Sequence, residues 1–291
     1  MLPYNNKEEL LDTIAAMRQQ EQTSYPSVDF LGQNPFADVD RSCRSKMAQW
    51  CNQVVEFCKF SRESVEVAMS LVDRYVTADP SALKDRNTYQ LAAMTCLYLA
   101  IKVHEHMAIH SNVITQLSQG TYSIQQVEAM EQRILKAIDW RVNPPTSASF
   151  ARCMVSVLPA NTLTEQERST VLHLTQLQCE AAIVDYRFIA VPASTLAFSA
   201  LVNALESLGT VAPCAIQHVA LSLAPHLLDA HHCPHKLSQV RTCLLETLEH
   251  SVVPLASSRC TAPAVNSNTT KTLVHHCGSN SASPRSVAAR R

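Results

Sequence analysis

Residues 91–101, LAAMTCLYLAI, form the most constraining stretch of the chain, because a helix built from them would have no polar face. Apart from the hydroxyl groups of Thr95 and Tyr98 and the thiol of Cys96, every side chain in the stretch is apolar. A helix without a polar face has to be surrounded by other helices. The stretch is also shorter than the roughly 20 apolar residues that cross a bilayer. We therefore predict that it is the central helix of a helical bundle.

Composition favours an all-α fold. The chain has 291 residues and only four glycines, and its long stretches of Leu, Ala, Gln and Glu are typical of helices. Hydrophobic residues make up 46% of the chain and charged residues 17%, which is enough apolar material for a large core. The formal net charge of −1 provides no general attraction to nucleic acid or to a membrane surface. We expect a soluble protein that binds neither directly.

The cysteines and the N-terminus indicate a reducing intracellular environment. Eleven cysteines is an odd number, and several lie within apolar helical patterns, where a free thiol behaves as a small hydrophobe. The first residues, MLPYNNKEELLDTI, have early acids and no apolar signal core, so we expect no secretory peptide.

Enzymatic and metal sites have little support in the sequence. It contains no Gly-rich phosphate loop and no G-x-S-x-G motif. The clusters HHCPH at 231–235 and HHCG at 275–278 carry zinc-binding residue types, but adjacent ligands rarely complete a tetrahedral site. We predict no catalytic residues, no cofactor and no bound metal.

Helical periodicity divides the first half of the chain. Helices are predicted over about 5–22, 62–78, 86–105, 109–118 and 123–139, with a further apolar pattern around 47–58. The segment SYPSVDFLGQNPF between the first two patterns is predicted to be a loop. Ser61 and Ser123 are predicted N-caps, and Pro144-Pro145 is predicted to break the chain between domains.

The second half repeats this layout. Helices are predicted from about 147, from Thr164 with a capping signal at Glu167, and over 192–208, which is again almost entirely apolar. LVDRYV at 71–76 is similar to IVDYRF at 183–188, and each precedes its own apolar helix. This indicates an internal duplication of a helical bundle. The predicted divisions are an N-terminal helix and linker over 1–42, bundles over 43–142 and 143–252, and a disordered basic tail over 253–291 that lacks Asp and Glu.

Five residues occur in order within motifs that resemble those of the cyclin family. The motifs are CRSKMAQW, SLVDRYV, LAAMTCLYLAIKVHE and QQVEAMEQRILKAIDW, and the residues are Arg44, Asp73, Leu91, Lys102 and Glu131. The resemblance implies two consecutive five-helix cyclin folds preceded by an N-terminal helix. EQTSYPSVDFL at 21–31 and the ending KAIDW resemble D-type (G1) cyclins, although the L-x-C-x-E motif of that group is absent.

The resemblance implies roles for two charged pairs. Arg44 and Asp73 would form a partly buried ion pair that joins the first helix of the bundle to the second. Lys102 and Glu131 would lie side by side on the surface that grips a cyclin-dependent kinase. Val103, Leu99 and Trp140 would supply apolar contacts to the kinase. The residues alone leave two alternatives open: a role for Lys102 only at the helix end, paired with Glu105 one turn on, and a place for Leu99 in the core.

The resemblance also implies a function. The chain would be a regulatory subunit that activates a cyclin-dependent kinase in cell-cycle control of the G1 type, in the nucleus and cytoplasm. Kinase substrates or inhibitors would be further partners, docking in a groove that includes Met47, Trp50 and Gln90. The alternative is a cyclin-fold transcription factor that binds DNA or the polymerase machinery. Such a protein should have a basic face, whereas residues 43–249 are close to neutral.

Overall fold

A computed structural model describes residues 7–106, 110–159, 162–227 and 234–252, and within these ranges the chain is helical and contains no strand. The predicted all-α fold class is confirmed. Most of the HHCPH cluster, all of the HHCG cluster and the predicted tail lie outside the described residues. Within the described part of the chain, no helix is both long and apolar enough to span a membrane.

Two bundles of five α-helices follow one another along the chain, after two helices that precede the first bundle. The N-terminal bundle begins close to the predicted boundary at 43, and the second begins just after the Pro144-Pro145 break. The preceding helices are α1 (Lys7–Ser24) and α2 (Phe30–Gln33). The first bundle contains α3 (Arg41–Cys58), α4 (Glu63–Ala78), α5 (Arg86–His104), α6 (Asn112–Leu117) and α7 (Ile124–Ala137). The second contains α8 (Ser147–Val157), α9 (Glu165–Val184), α10 (Ala193–Leu208), α11 (Pro213–Leu227) and α12 (Pro234–Val252).

The central helices are the two apolar ones that the sequence singles out. Every side chain in residues 91–101 of α5 is at most 8% exposed, and residues 194–205 of α10 are likewise all buried. Helices α4 and α7 pack around α5, while α8, α9 and α12 pack around α10. Because each central helix is enclosed by its neighbours, the absence of a polar face costs it nothing, as the sequence predicts.

Capping residues fix where several helices begin. Ser123 forms a capping box with Gln126 at the start of α7, and Thr164 forms one with Glu167 at the start of α9, as predicted. The prediction for Ser61 is wrong in part. Arg62 occupies the N-cap position of α4 without a side-chain bond, and the Ser61 hydroxyl accepts only a long 3.3 Å bond from the Glu63 amide.

The segment predicted as a loop between the first two helices contains a short helix, α2. The Asp29 carboxylate accepts a 2.8 Å hydrogen bond from the Gly32 amide and so caps this single turn. Phe30 is fully buried, and the Leu31 amide donates to the Tyr186 hydroxyl of the second bundle at 3.0 Å. The turn is therefore held by contacts with residues far away in the chain, which local periodicity does not show.

Helix α1 precedes the first bundle in the chain but packs on the second, against α8 and α11. Its Leu10 and Ile14 side chains are buried in the core of the second bundle. Glu21 pairs with Arg18 and also accepts bonds from the Ser194 amide at 3.0 Å and hydroxyl at 2.6 Å, at the start of α10. Helix α1 thus packs against the second bundle, and the segment that follows it leads into the first bundle.

Carboxylates of α4 join the two bundles on another side. Glu66 accepts hydrogen bonds from the amide and hydroxyl of Ser147, in the first turn of α8. Glu63 accepts bonds from Thr146 and Ser149 and forms a 2.9 Å ion pair with Arg152. Negative charge at the N-terminus of a helix is favourable because of the helix dipole. The two bundles are therefore joined where the N-terminus of α8 contacts two carboxylates of α4.

Candidate partner-binding site

The last turn of α5 brings a lysine out of the apolar core beside a glutamate of α7. The Lys102 Nζ lies 2.6 Å from Glu131 Oε1, and the two side chains are 39% and 17% exposed. Lys102 follows directly after the buried run 91–101 because the helix emerges from between its neighbours at this point. The pair predicted from the sequence as neighbours is thus adjacent in space and open to solvent on one side.

The aromatic ring of Tyr98 lies against the Lys102 ammonium group. Tyr98, one turn earlier on α5, places its ring centroid 4.8 Å from Lys102 Nζ, within the range of a cation–π contact. Burial alone would lower the pKa of Lys102, but the hydrogen bond and the charge of Glu131 outweigh that effect and raise it above its ordinary value. Lys102 is therefore firmly protonated at neutral pH. Its i, i+4 spacing from Tyr98 is the sequence signal that could have revealed this support.

The alternative partner for Lys102, Glu105, is engaged elsewhere. The Glu105 carboxylate accepts hydrogen bonds from the Ser61 amide at 2.8 Å and from the Ser64 hydroxyl at 2.7 Å, at the start of α4. Glu105 therefore binds the N-terminus of α4, whereas Lys102 pairs with Glu131. The Lys102 ammonium turns to α7 instead of toward the next turn of its own helix.

The three apolar positions predicted around the pair differ in exposure. Val103 is 46% exposed and Trp140 is 68% exposed, so both side chains are available to a partner. Leu99 is 3% exposed and belongs to the core of the first bundle, which is one of the two placements that the sequence leaves open.

Trp140 is held on a strained turn at the end of α7. Asp139 and Trp140 both have positive φ angles, 52° and 59°, which are uncommon for residues other than glycine. Arg74 of α4 clamps this turn by donating to the Ile138 and Arg141 carbonyls at 3.2 and 2.7 Å. Arg74 was missed in the sequence, where it appears only as the residue after Asp73. Its role depends on how α4 lies against the end of α7.

The Lys102–Glu131 pair offers both kinds of hydrogen-bonding group at one place. A lysine ammonium has three donors and a glutamate carboxylate has about four acceptor sites, so each group can bind a partner while keeping the mutual bond. Because the two formal charges cancel, the pair does not select a strongly charged ligand. It is suited to polar backbone groups, a carbonyl for the lysine and an amide for the glutamate.

Arg44 and Asp73 form a second pair of very different character. The guanidinium donates to both carboxylate oxygens at 2.9 and 2.8 Å, and the side chains are only 6% and 17% exposed. The remaining Arg44 nitrogen donates to the Ile183 carbonyl of α9 at 2.8 Å, a bond between bundles that the sequence does not reveal. Burial opposes the charge of Arg44, but Asp73 outweighs it and raises the pKa of Arg44. This pair is positioned to hold the fold.

The residues predicted for a substrate-docking groove are largely covered. Met47 and Trp50 on α3 are 9% and 3% exposed. Gln90 on α5 is half-buried, and its amide oxygen accepts a 3.3 Å bond from the Tyr122 hydroxyl. Among the described residues, no three His, Cys, Asp or Glu side chains cluster closely enough to hold a metal ion.

The sequence is similar to those of known cyclins. The family model described as "Cyclin, N-terminal domain" matches residues 12–143, and "Cyclin, C-terminal domain" matches residues 145–268. Mouse G1/S-specific cyclin-D1 is 24% identical over 230 residues, which cover 79% of this chain and 72% of that protein. Rice Cyclin-A1-2 is 26% identical over 193 residues, which cover 65% of this chain and 39% of that protein.

A solved structure shares the fold. The viral cyclin from herpesvirus saimiri superimposes with a TM-score of 0.62 at 12% sequence identity, covering 84% of this chain and 98% of that one. The matched region thus amounts to about two fifths of the length of the rice relative and to nearly the whole of the viral protein.

Proposed function

The chain belongs to the cyclin family, and we propose that it is a regulatory subunit that binds and activates a cyclin-dependent protein kinase. The observation that carries the proposal is the Lys102–Glu131 pair, which stands at the exposed end of an otherwise buried helix. A structural role for the pair would not require exposure, whereas binding to a partner does. Val103 and Trp140 add exposed apolar surface on the helix that carries Lys102 and just after the one that carries Glu131.

The kinase would be activated by a shift between its conformations. A protein kinase is active only when the lysine on its β3 strand pairs with the glutamate of its C-helix and its Mg²⁺-binding aspartate is in place. The Lys102–Glu131 pair binds backbone groups near the C-helix and the activation segment in that state. Binding raises the population of the active kinase only to the extent that this chain binds the active conformation more tightly than the inactive one. The chain performs no chemistry of its own.

We further propose that this control belongs to the G1 type and acts in the nucleus and cytoplasm. The pre-bundle segment 21–31 and the Trp140 ending resemble D-type cyclins, and the match to mouse cyclin D1 extends over most of that protein. Kinase substrates or inhibitors are further proposed partners. Met47 and Trp50 are mostly covered, so docking through them would require α3 or its neighbours to move.

Reconstitution tests the proposal. The purified chain is mixed with each member of a panel of cyclin-dependent kinases, and complex formation and phosphorylation of a histone substrate are measured. We expect one or more kinases to form a 1:1 complex and to gain activity at least tenfold. A gel shift with duplex DNA is run in parallel. Retardation of DNA together with no kinase binding would overturn the proposal in favour of a cyclin-fold transcription factor.

A further inference from the structure

Phe36 is the most exposed large apolar side chain in the described part of the chain, at 97%. It lies in the segment between α2 and α3, next to Pro35 and among other exposed residues, Gln33 and Asp38. Scattered apolar residues on a surface are ordinary. Phe36 is unusual because the chain around it is firmly fixed, so its exposure does not follow from a loose loop.

The backbone around Phe36 forms a hydrogen-bonded β-turn. The Ala37 amide donates to the Asn34 carbonyl at 3.2 Å, which places Pro35 and Phe36 at the two central positions. Proline is favoured at the first central position because its ring fixes the φ angle that the turn needs. The Asn34 side-chain amide donates to the Phe30 carbonyl at 2.8 Å and fastens the turn to the end of α2. The sequence Asn-Pro-Phe thus encodes the shape in which the ring is presented.

Both flanks of the turn are anchored in the first bundle. Phe30 before it is fully buried, and Val39 after it is 2% exposed. The Asp38 and Val39 amides both donate to the Leu83 carbonyl, at 3.0 and 3.2 Å. Because the backbone is already ordered, a partner that encloses the ring would restrict little more than the side chain itself. Preorganisation of this kind raises affinity by reducing the entropy lost on binding.

The turn is remote from the proposed kinase-binding pair. The Arg86 side chain donates to the Asp38 carbonyl at 2.9 Å, so the turn lies beside the first residue of α5, whereas Lys102 lies in its last turn. At 1.5 Å per residue, the 16 residues between them correspond to about 24 Å along the helix. The Phe36 turn and the Lys102–Glu131 pair are therefore separate sites near opposite ends of α5.

We propose that the Asn34–Phe36 turn is a recruitment site that inserts the Phe36 ring into an apolar pocket of a second partner protein. A pocket fits better than a flat surface because one ring protrudes among polar neighbours. A bilayer is disfavoured because insertion needs a wider apolar face, and here Asp38 and Gln33 stand beside the ring. A second copy of this chain is the competing occupant, because its cavity of about 320 Å³ is lined by apolar residues such as Phe188 and Leu196 as well as by charged ones.

Site-specific crosslinking with the full chain identifies the partner. A photoreactive phenylalanine, p-benzoyl-phenylalanine, is incorporated at position 36 and, as the matched control, at position 57. Phe57 is 43% exposed on the last turn of α3 and lacks a proline turn. A protein that crosslinks at 36 and not at 57 is then purified, and its affinity for the chain is measured directly.

The result expected is at least tenfold weaker binding to Phe36→Ala, a smaller loss for Pro35→Ala, and no change for Phe57→Ala. The melting temperature should be unchanged in Phe36→Ala because the ring is almost fully exposed, and kinase affinity should be unchanged because the turn lies at the end of α5 opposite to Lys102. Failure to capture any protein at position 36, or equal binding of the captured protein to wild type and Phe36→Ala, would overturn the proposal. So would equal crosslinking at 36 and 57, a crosslink only to a second copy of the chain, or Phe36-dependent sedimentation with phosphatidylcholine–phosphatidylserine vesicles.

Discussion

Arg44–Asp73 and Lys102–Glu131 are built alike in sequence and differ in the structure. Each joins a cation to an acid 29 residues later on another helix of the first bundle. The first pair is almost completely buried and also binds a carbonyl of the second bundle, whereas the second pair faces solvent on one side. The same spacing therefore serves two purposes. Burial of a fully satisfied pair fixes the fold, and exposure of a pair with spare bonding capacity allows a partner to bind.

The largest effect should come from breaking the buried pair. Arg44→Met leaves the Asp73 carboxylate and the Ile183 carbonyl without their donor in a covered site, so the free energy of unfolding should fall by about 3–5 kcal/mol. Urea denaturation measures the change. Arg62→Met is the matched control, because Arg62 also pairs across the bundles, with Glu180, but is 53% exposed. It should lose less than about 1 kcal/mol. Equal losses for the two arginines would contradict the contrast between buried and exposed pairs.

Glu66 differs from Asp73 in that the hydrogen bonds to its buried carboxylate come from neutral groups. Burial raises the pKa of Glu66 to about 7 from an ordinary 4.5, and the bonds from Ser147 only partly offset that effect. The neighbouring charges at this joint are Arg62, Glu63, Arg152 and Glu180. Because the folded-state pKa is raised, the stabilisation linked to the protonated form is complete below pH about 4.5 and is lost as the pH rises through 7.

Glu66→Gln should remove this pH dependence. Between pH 5 and pH 8 the variant should gain roughly 2–3 kcal/mol of unfolding free energy relative to wild type. Glu63→Gln is the control, because burial raises its pKa but the bonds from Arg152 and its neighbours lower it overall. Because a lowered pKa changes stability mainly below pH about 4.5, the difference between Glu63→Gln and wild type should stay nearly constant from pH 5 to pH 8. Denaturant titrations at both pH values measure the differences, and an equal gain in Glu63→Gln, or none in Glu66→Gln, would show that Glu66 is not the titrating group.

The smallest effect on stability is expected at the exposed pair. Lys102→Ala or Glu131→Ala removes a partly screened ion pair and should lower the unfolding free energy by less than about 1 kcal/mol. Glu105 is unsuited as a control on the same helix, because it binds the start of α4 and its loss would disturb that cap. A loss above about 2 kcal/mol at Lys102 would assign the pair to the fold instead of to a partner.

Much of the fold was predictable because it depends on local pattern. The two apolar helices, the capping boxes at Ser123 and Thr164, and the break at Pro144-Pro145 all rest on residues a few positions apart. The family signature added the pairing of Lys102 with Glu131, which spacing alone leaves open against Glu105. Side-chain exposure at Val103 and Trp140 also agrees with the surface position that the resemblance implies.

The features that escaped prediction depend on how distant helices meet. The bond from Arg44 to Ile183 spans 139 residues, and the contact of Leu31 with Tyr186 spans 155. Arg74 becomes a clamp only when α4 lies beside the end of α7. No periodicity along one helix specifies such contacts, since they are set by the relative placement of the two bundles.

The central claim is that the exposed Lys102–Glu131 pair binds a kinase, and the affinity of charge-reversed variants tests it most directly. Lys102→Glu is compared with Lys84→Glu, the same change at an exposed lysine near the other end of α5. Both variants should melt close to wild type. Lys102→Glu should weaken binding to the reconstituted kinase by about 2–5 kcal/mol, as expected for one partner of an interfacial charge pair. Lys84→Glu should bind normally. Wild-type affinity in a normally folded Lys102→Glu variant would contradict the claim and leave the lysine with a role only at the helix end.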